Sequence, residues 1–208
     1  VTTLVLIPGI RGDPGEYARL VPLLRRDVHV VATPDAGPHL AEIAAAVAAT
    51  LPKGEWDVVG ASFGGLVGWA LPPARVRSLT TIGTLPWPTP RARRMALAAA
   101  LLRRAPERLY RELYAPRARA SWEEDGGDPL DTLVIPPGRV FADRLAAIAA
   151  WGLPLRPPGR ARWIWGATDR FIQWNTGELI AAGLDPIVVP GGHRPHFSHP
   201  SEVARWLL

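Results

Sequence analysis

Val58-Val59-Gly60-Ala61-Ser62-Phe63-Gly64-Gly65-Leu66-Val67 joins a hydrophobic, β-branched run to an apolar helical one through a G-x-S-x-G sequence. A serine on so sharp a strand-to-helix turn needs glycine two residues before it and two after, because side chains there would collide with neighbouring backbone. Its hydroxyl is then held at the carboxyl end of a sheet. A helix starting just behind Ser62 aims free N–H groups and its positive dipole end at the same point, which suits an anionic intermediate.

Outward from this turn, short apolar runs recur at about residues 2 to 7, 28 to 32, 56 to 61, 76 to 82, 162 to 166 and 186 to 190, each bounded by Gly, Pro or Asp. Runs of this length and composition predict buried parallel strands. Helical periodicity lies between the early ones: Tyr17, Leu20, Val21 and Leu24, then Leu40, Ile43, Ala44, Val47, Ala48 and Leu51. Parallel neighbours require a crossover, so the pattern predicts an α/β, doubly wound, mostly parallel sheet of about six strands with helices on both faces.

Strand starts are 20 to 28 residues apart until the fourth, after which the next is more than 80 residues away. A helical cap inserted after the fourth strand accounts for the gap. The expected division is a core of residues 1–83 and 146–208 and a cap of residues 84–145. Within the cap the sequence predicts a helix from Arg91 to Arg104 and a second opened by Pro106, with Leu109, Tyr110, Leu113 and Tyr114 on one side. A third carries Phe141, Leu145 and Ile148.

Composition narrows the chemistry. Of 208 residues 48% are apolar and 21% charged, enough to bury a core. The chain has no cysteine, which excludes disulfides, thiolate metal sites and a cysteine nucleophile. Net charge is +5, but Lys53 is the only lysine and the arginines are scattered among 19 acidic residues rather than gathered into a basic stripe, so no nucleic-acid partner is expected. Arginine, proline and alanine abundance suggests a GC-rich, thermophile-like source. Thr2 to Ile7 runs straight into Pro8-Gly9 with no basic region and no long apolar span, so the expectation is a cytoplasmic protein with no membrane partner. Nothing in the sequence sets the oligomeric state.

From its nucleophile turn outward the chain resembles the α/β-hydrolase superfamily over nearly its whole length. Leu6-Ile7-Pro8-Gly9-Ile10-Arg11-Gly12 is similar to the family's H-G-x-x-G oxyanion loop, with Pro8 where histidine is common. The resemblance implies that the N–H groups of Ile10 and Phe63 hold the oxyanion. A serine hydroxyl is a poor nucleophile at neutral pH and needs a base, for which histidine is the natural candidate. Gly191-Gly192-His193-Arg194-Pro195-His196-Phe197-Ser198-His199-Pro200 follows the last strand and looks like the family's catalytic-histidine segment. His193 matches the base, with His196 and His199 as alternatives. The imidazole needs a buried carboxylate to fix its tautomer, and Asp169, in Gly166-Ala167-Thr168-Asp169, is similar to the family's G-x-x-D turn. The rival position after the fourth strand, Thr81-Ile82-Gly83-Thr84-Leu85, has no carboxylate.

The expected function is that of a serine hydrolase cleaving a carboxylic ester or related small acyl substrate through Ser62, His193 and Asp169. No cofactor or metal is called for, since the histidine cluster lacks the helical i, i+4 spacing that would pair two imidazoles on one ion. Arg11, Arg170 and Arg194 each lie within two residues of a site element, and with Trp87 are candidates for binding substrate. If the arginines converge they favour a carboxylate or phosphate. The alternatives are a non-hydrolytic enzyme of the same fold (a menaquinone-pathway-type lyase, an acyltransferase or a perhydrolase) acting on an anionic substrate, and a retired binding scaffold.

Overall fold

The computed structural model describes residues 2–84, 91–127, 133–152, 159–172, 180 and 186–207. Six strands form where the apolar runs lie: β1 (Thr2–Ile7), β2 (Val28–Val30), β3 (Glu55–Ala61), β4 (Val76–Ile82), β5 (Arg160–Gly166) and β6 (Pro186–Val189). All pair in parallel, in the order β2-β1-β3-β4-β5-β6. Strand order reverses at the β1/β3 boundary, the place where parallel α/β sheets open a crevice beyond their carboxyl ends. Registers Ile7↔Gly60, Ala61↔Ile82 and Ile82↔Ile164 bring the carboxyl ends to one edge. The segments that follow them all emerge along that edge.

The strands alternate faces. Val5 and Ile7 join one core with Ile43, Val47, Val58, Phe63 and Val67, while Leu4 and Leu6 join the other with Tyr17, Leu20, Val59 and Val203. Leu4 to Ile7 are buried on both sides, which explains why β1 reads as an unbroken apolar run. Each such side chain is worth roughly 1.5–3 kcal/mol of transfer free energy. The first face is covered by α1 (Leu40–Thr50) and α2 (Phe63–Ala70).

The predicted helix around Tyr17 to Leu24 is replaced by two 3₁₀ turns, Pro14–Tyr17 and Val21–Leu23. Their bonds, such as Leu20 N–H to the Tyr17 carbonyl at 2.9 Å, span three residues. Pro22 lacks an N–H and disfavours α geometry in Val21, so the segment cannot wind on. Tyr17, Leu20 and Leu24 are buried nonetheless.

Between β4 and β5 come α3 (Ala92–Leu102), α4 (Glu107–Glu124) and α5 (Gly138–Ala149). The four aromatic and leucine side chains expected on one side of α4 divide. Tyr110 stacks on Tyr114 at 5.2 Å and both lie against Phe141 of α5, whereas Leu109 and Leu113 face solvent. Aromatic packing between α4 and α5 fixes that rotation. Helix α5 runs through residue 145 and touches α1 and α2 as well as α3. Two short helices, α6 (Pro195–Ser198) and α7 (Pro200–Ala204), close the described chain.

Candidate active site

Ser62 links β3 to α2 with φ 50° and ψ −114°, and among the described residues it is the only non-glycine residue at positive φ. Such a conformation costs of order 1–3 kcal/mol and persists only where surroundings impose it. They do so here. Its N–H donates to the Ile82 carbonyl at 2.7 Å, and its own carbonyl accepts from Gly65 N–H at 3.0 Å and from Thr84 Oγ1 at 2.9 Å. A Cβ on Gly60 would overlap the Gly64 carbonyl, and one on Gly64 would overlap the Ile7 carbonyl. The spacing in G-x-S-x-G is therefore a packing requirement. Phe63 is the first residue of α2, so its N–H has no acceptor within the helix.

Asp169 and His193 meet behind different strands. Asp169 follows β5 and His193 follows β6, and His193 Nδ1 lies 2.8 Å from Asp169 Oδ2. The other carboxylate oxygen accepts from the N–H groups of Phe171 at 2.8 Å and Ile172 at 3.0 Å. The Asp169 side chain is only 2% exposed and that of His193 16%, so the acid is locked while the base keeps an open edge. With an ionised Asp169 accepting at Nδ1, the imidazole proton sits there and Nε2 is left as the acceptor. Gly83 packs on the ring: a Cβ there would stand 3.2 Å from His193 Nδ1 and Cε1. Gly83 follows Ile82, the acceptor for Ser62 N–H. Serine and imidazole thus share one corner at the end of β4, and their approach rests on that common neighbour.

The loop after β1 turns at Gly9–Gly12, with Gly12 N–H on the Gly9 carbonyl at 2.9 Å. Sequence reasoning missed its supports. Glu16 Oε2 accepts from Gly9 N–H at 2.9 Å, Glu16 Oε1 lies 3.2 Å from His196 Nε2, and Arg144 of α5 donates to the Ile10 carbonyl at 2.8 Å and the Thr33 carbonyl at 2.7 Å. Burial works to raise the Glu16 carboxyl, but the hydrogen bond and charge of His196, with Arg11 and Arg194 near, outweigh it and hold the group down at about 2. Glu16 is therefore ionised and accepts only, so His196 Nε2 carries the proton between them. The pair braces the loop from which Pro8 has removed the usual histidine. Its one signal in sequence is an acid, Glu16, placed directly before Tyr17, the first residue of the apolar stripe Tyr17, Leu20, Val21 and Leu24.

The remaining candidates separate. His196 is fully buried on Glu16, and His199 is a surface residue bonded to Ser198. Arg170 is 82% exposed at its side chain, 3.7 Å from Glu124, and stands outside the site. Trp87 lies outside the described residues. Arg194 is a buried strut: its Nε donates to Asp125 at 2.7 Å and its Nη2 to the Ser121 carbonyl, joining the histidine loop to the end of α4. Arg11 is buried against Trp122 of the same helix, 4.8 Å from guanidinium carbon to ring centroid. At the opposite edge of the sheet a cavity of about 620 Å³ is lined by Arg26, Asp57, Arg77, Ser78, Arg160 and Arg162. Its acid, Asp57, is taken up by Arg26, Arg77 and Ser78 and reaches nothing catalytic. Among the described residues no group of three His, Asp or Glu could hold a metal ion, and no helix is long and apolar enough to cross a membrane.

Residues 4–206 match the model of the alpha/beta hydrolase family. The chain belongs to that family. As an alpha/beta hydrolase it superposes on a hydrolase from Pseudomonas aeruginosa PA01 with a TM-score of 0.80 at 22% identity, covering 100% of this chain and 88% of that one. A thermophilic esterase from Thermogutta terrifontis, in a malate-bound structure, gives 0.71 at 18% identity over 100% and 88%. The bottromycin epimerase BotH gives 0.69 at 16% over 99% and 89%. At these identities the likeness establishes the fold. No curated protein sequence matches this alpha/beta hydrolase significantly.

Proposed function

We propose that the protein is a serine hydrolase that cleaves a carboxylic ester or a related small acyl substrate through an acyl-enzyme on Ser62. One observation carries the reading: the hydrogen-bonded His193–Asp169 pair and the positive-φ serine pack on the same Ile82–Gly83 corner. Ser62 Oγ attacks the carbonyl carbon as His193 Nε2 takes its proton, and Asp169 stays ionised to stabilise the imidazolium. The N–H groups of Ile10 and Phe63 take the oxyanion, the first on a loop pinned by Glu16 and Arg144. Collapse of the tetrahedral intermediate expels the alcohol, protonated by His193. Water activated by the same histidine then releases the acid and restores Ser62.

In this reading the segment 84–145 is a cap over the site, and the enzyme acts on a small molecule in a cytoplasmic setting. A fluorophosphonate probe located by peptide mass, together with p-nitrophenyl ester turnover, tests it. Wild type is expected to be labelled at Ser62, and Ser62→Ala to lose label and turnover by several powers of ten while melting as wild type does. Retained esterase activity in the folded alanine variant refutes the assignment.

A further inference from the structure

Three arginines are buried where the oxyanion loop, the histidine loop and helices α4 and α5 come together: Arg11, Arg144 and Arg194, at 6%, 4% and 8% exposure. Two have partners for their charge-bearing nitrogens. Arg144 holds the carbonyls of Ile10 and Thr33, and Arg194 holds Asp125 and Ser121. Arg11 does not, since neither Nη1 nor Nη2 has a hydrogen-bond partner and both are closed to bulk water. Leaving a cation buried with no acceptor is expensive, and natural proteins accept that cost mainly where something else completes the pair. Burial pulls the Arg11 guanidinium below its usual range and the nearby Glu16 charge only partly offsets this. Glu16 itself is already engaged by Gly9 and His196.

We infer that Arg11 is a specificity residue that receives a carboxylate on the acyl portion of the substrate, so that the enzyme prefers half-esters of short dicarboxylic acids. The inference rests on the serine-hydrolase reading and adds the substrate class to it. Arg11 directly follows Ile10, the proposed oxyanion donor, and consecutive Cα atoms are about 3.8 Å apart, which roots its side chain beside the proposed position of the scissile carbonyl. Trp122 lies over the guanidinium and neither Nη is taken by a protein acceptor, so a planar carboxylate is the group that would complete both. Glu16, ionised close by, makes a single negative charge a better match than a phosphate dianion.

The test compares 4-nitrophenyl hydrogen glutarate with the nearly isosteric, neutral 4-nitrophenyl valerate on the full chain, as a ratio of kcat/KM. Wild type is expected to favour the anionic ester at least about tenfold, and the ratio to persist in about 1 M salt, where the screening length is about 3 Å and general attraction by a +5 protein is gone. Arg11→Met is expected to bring the ratio close to one and Arg11→Lys to retain part of it. A wild-type ratio of one or less overturns the inference while leaving the hydrolase reading standing, as does a ratio unchanged in Arg11→Met. If wild type cleaves neither ester and Ser62 takes no probe, the hydrolase reading itself has failed. Melting then decides the role of Arg11 without turnover: free glutarate, but not glutaramide, should raise the wild-type Tm, and no such rise refutes a carboxylate site. That measurement needs no variant, so misfolding of Arg11→Met would not shelter the inference.

Discussion

Replacing Glu16 by glutamine removes one buried charge and almost no volume. The side chain is 4% exposed, so solvent screening offers little relief. In the native protein its carboxylate accepts from Gly9 N–H and from His196 Nε2; against the upward pull of burial, the His196 bond and the charges of His196, Arg11 and Arg194 bring the group from an ordinary 4.5 to about 2. At about 1.4 kcal/mol per pH unit, ionisation of Glu16 stabilises the fold by on the order of 3 kcal/mol. The sign follows from the direction. A carboxyl depressed on folding contributes its full stabilisation above about pH 4.5 and loses it as pH falls through about 2. Glu16→Gln should thus unfold about 3 kcal/mol more easily at pH 7, equivalent to roughly 6–12 °C in Tm for a chain of this size. The deficit should shrink steadily on going from pH 5 to pH 2. Urea titrations of both proteins across that range isolate the effect, because every other carboxylate is common to the two. A deficit below about 0.5 kcal/mol at neutral pH, or one that does not narrow in acid, would show that Glu16 is not the ionised brace of the oxyanion loop.

Asp169→Asn should keep the fold and lower kcat by roughly 10⁴ with little change in KM, since the histidine loses the acceptor that sets its tautomer; a loss under tenfold in steady-state assays argues for another acid. Gly64→Ala would drive a methyl into the Ile7 and Pro8 carbonyls and should destabilise by at least about 3 kcal/mol in urea, whereas Gly152→Ala, facing open space, should stay within about 0.5 kcal/mol. Equal effects would discredit the close approach of α2 to β1. Arg194→Met strands Asp125 and should cost about 3–5 kcal/mol, and the double variant with Asp125→Asn should recover much of it; simple additivity in that cycle would mean the buried pair is not coupled.

What the amino-acid order settled was local. Six apolar runs became six parallel strands because each needs only its own period and boundaries to be recognised. The serine turn was equally legible, since the glycines that permit it are two residues away. Local pattern failed where a single residue overrode it: Pro22 broke a helix whose apolar spacing was sound, and stacking of Tyr110 and Tyr114 on Phe141 turned Leu109 and Leu113 outward. Only the folded chain paired Glu16 with His196, 180 residues away, and Arg144 with Ile10, 134 away. It alone made Arg194 a strut, left Arg170 at the surface and buried Arg11 under Trp122 with neither Nη hydrogen-bonded. The reason is physical: periodicity reports which face of an element is buried, but the partner a polar group meets there is chosen by whichever distant loops the sheet order brings to the same edge.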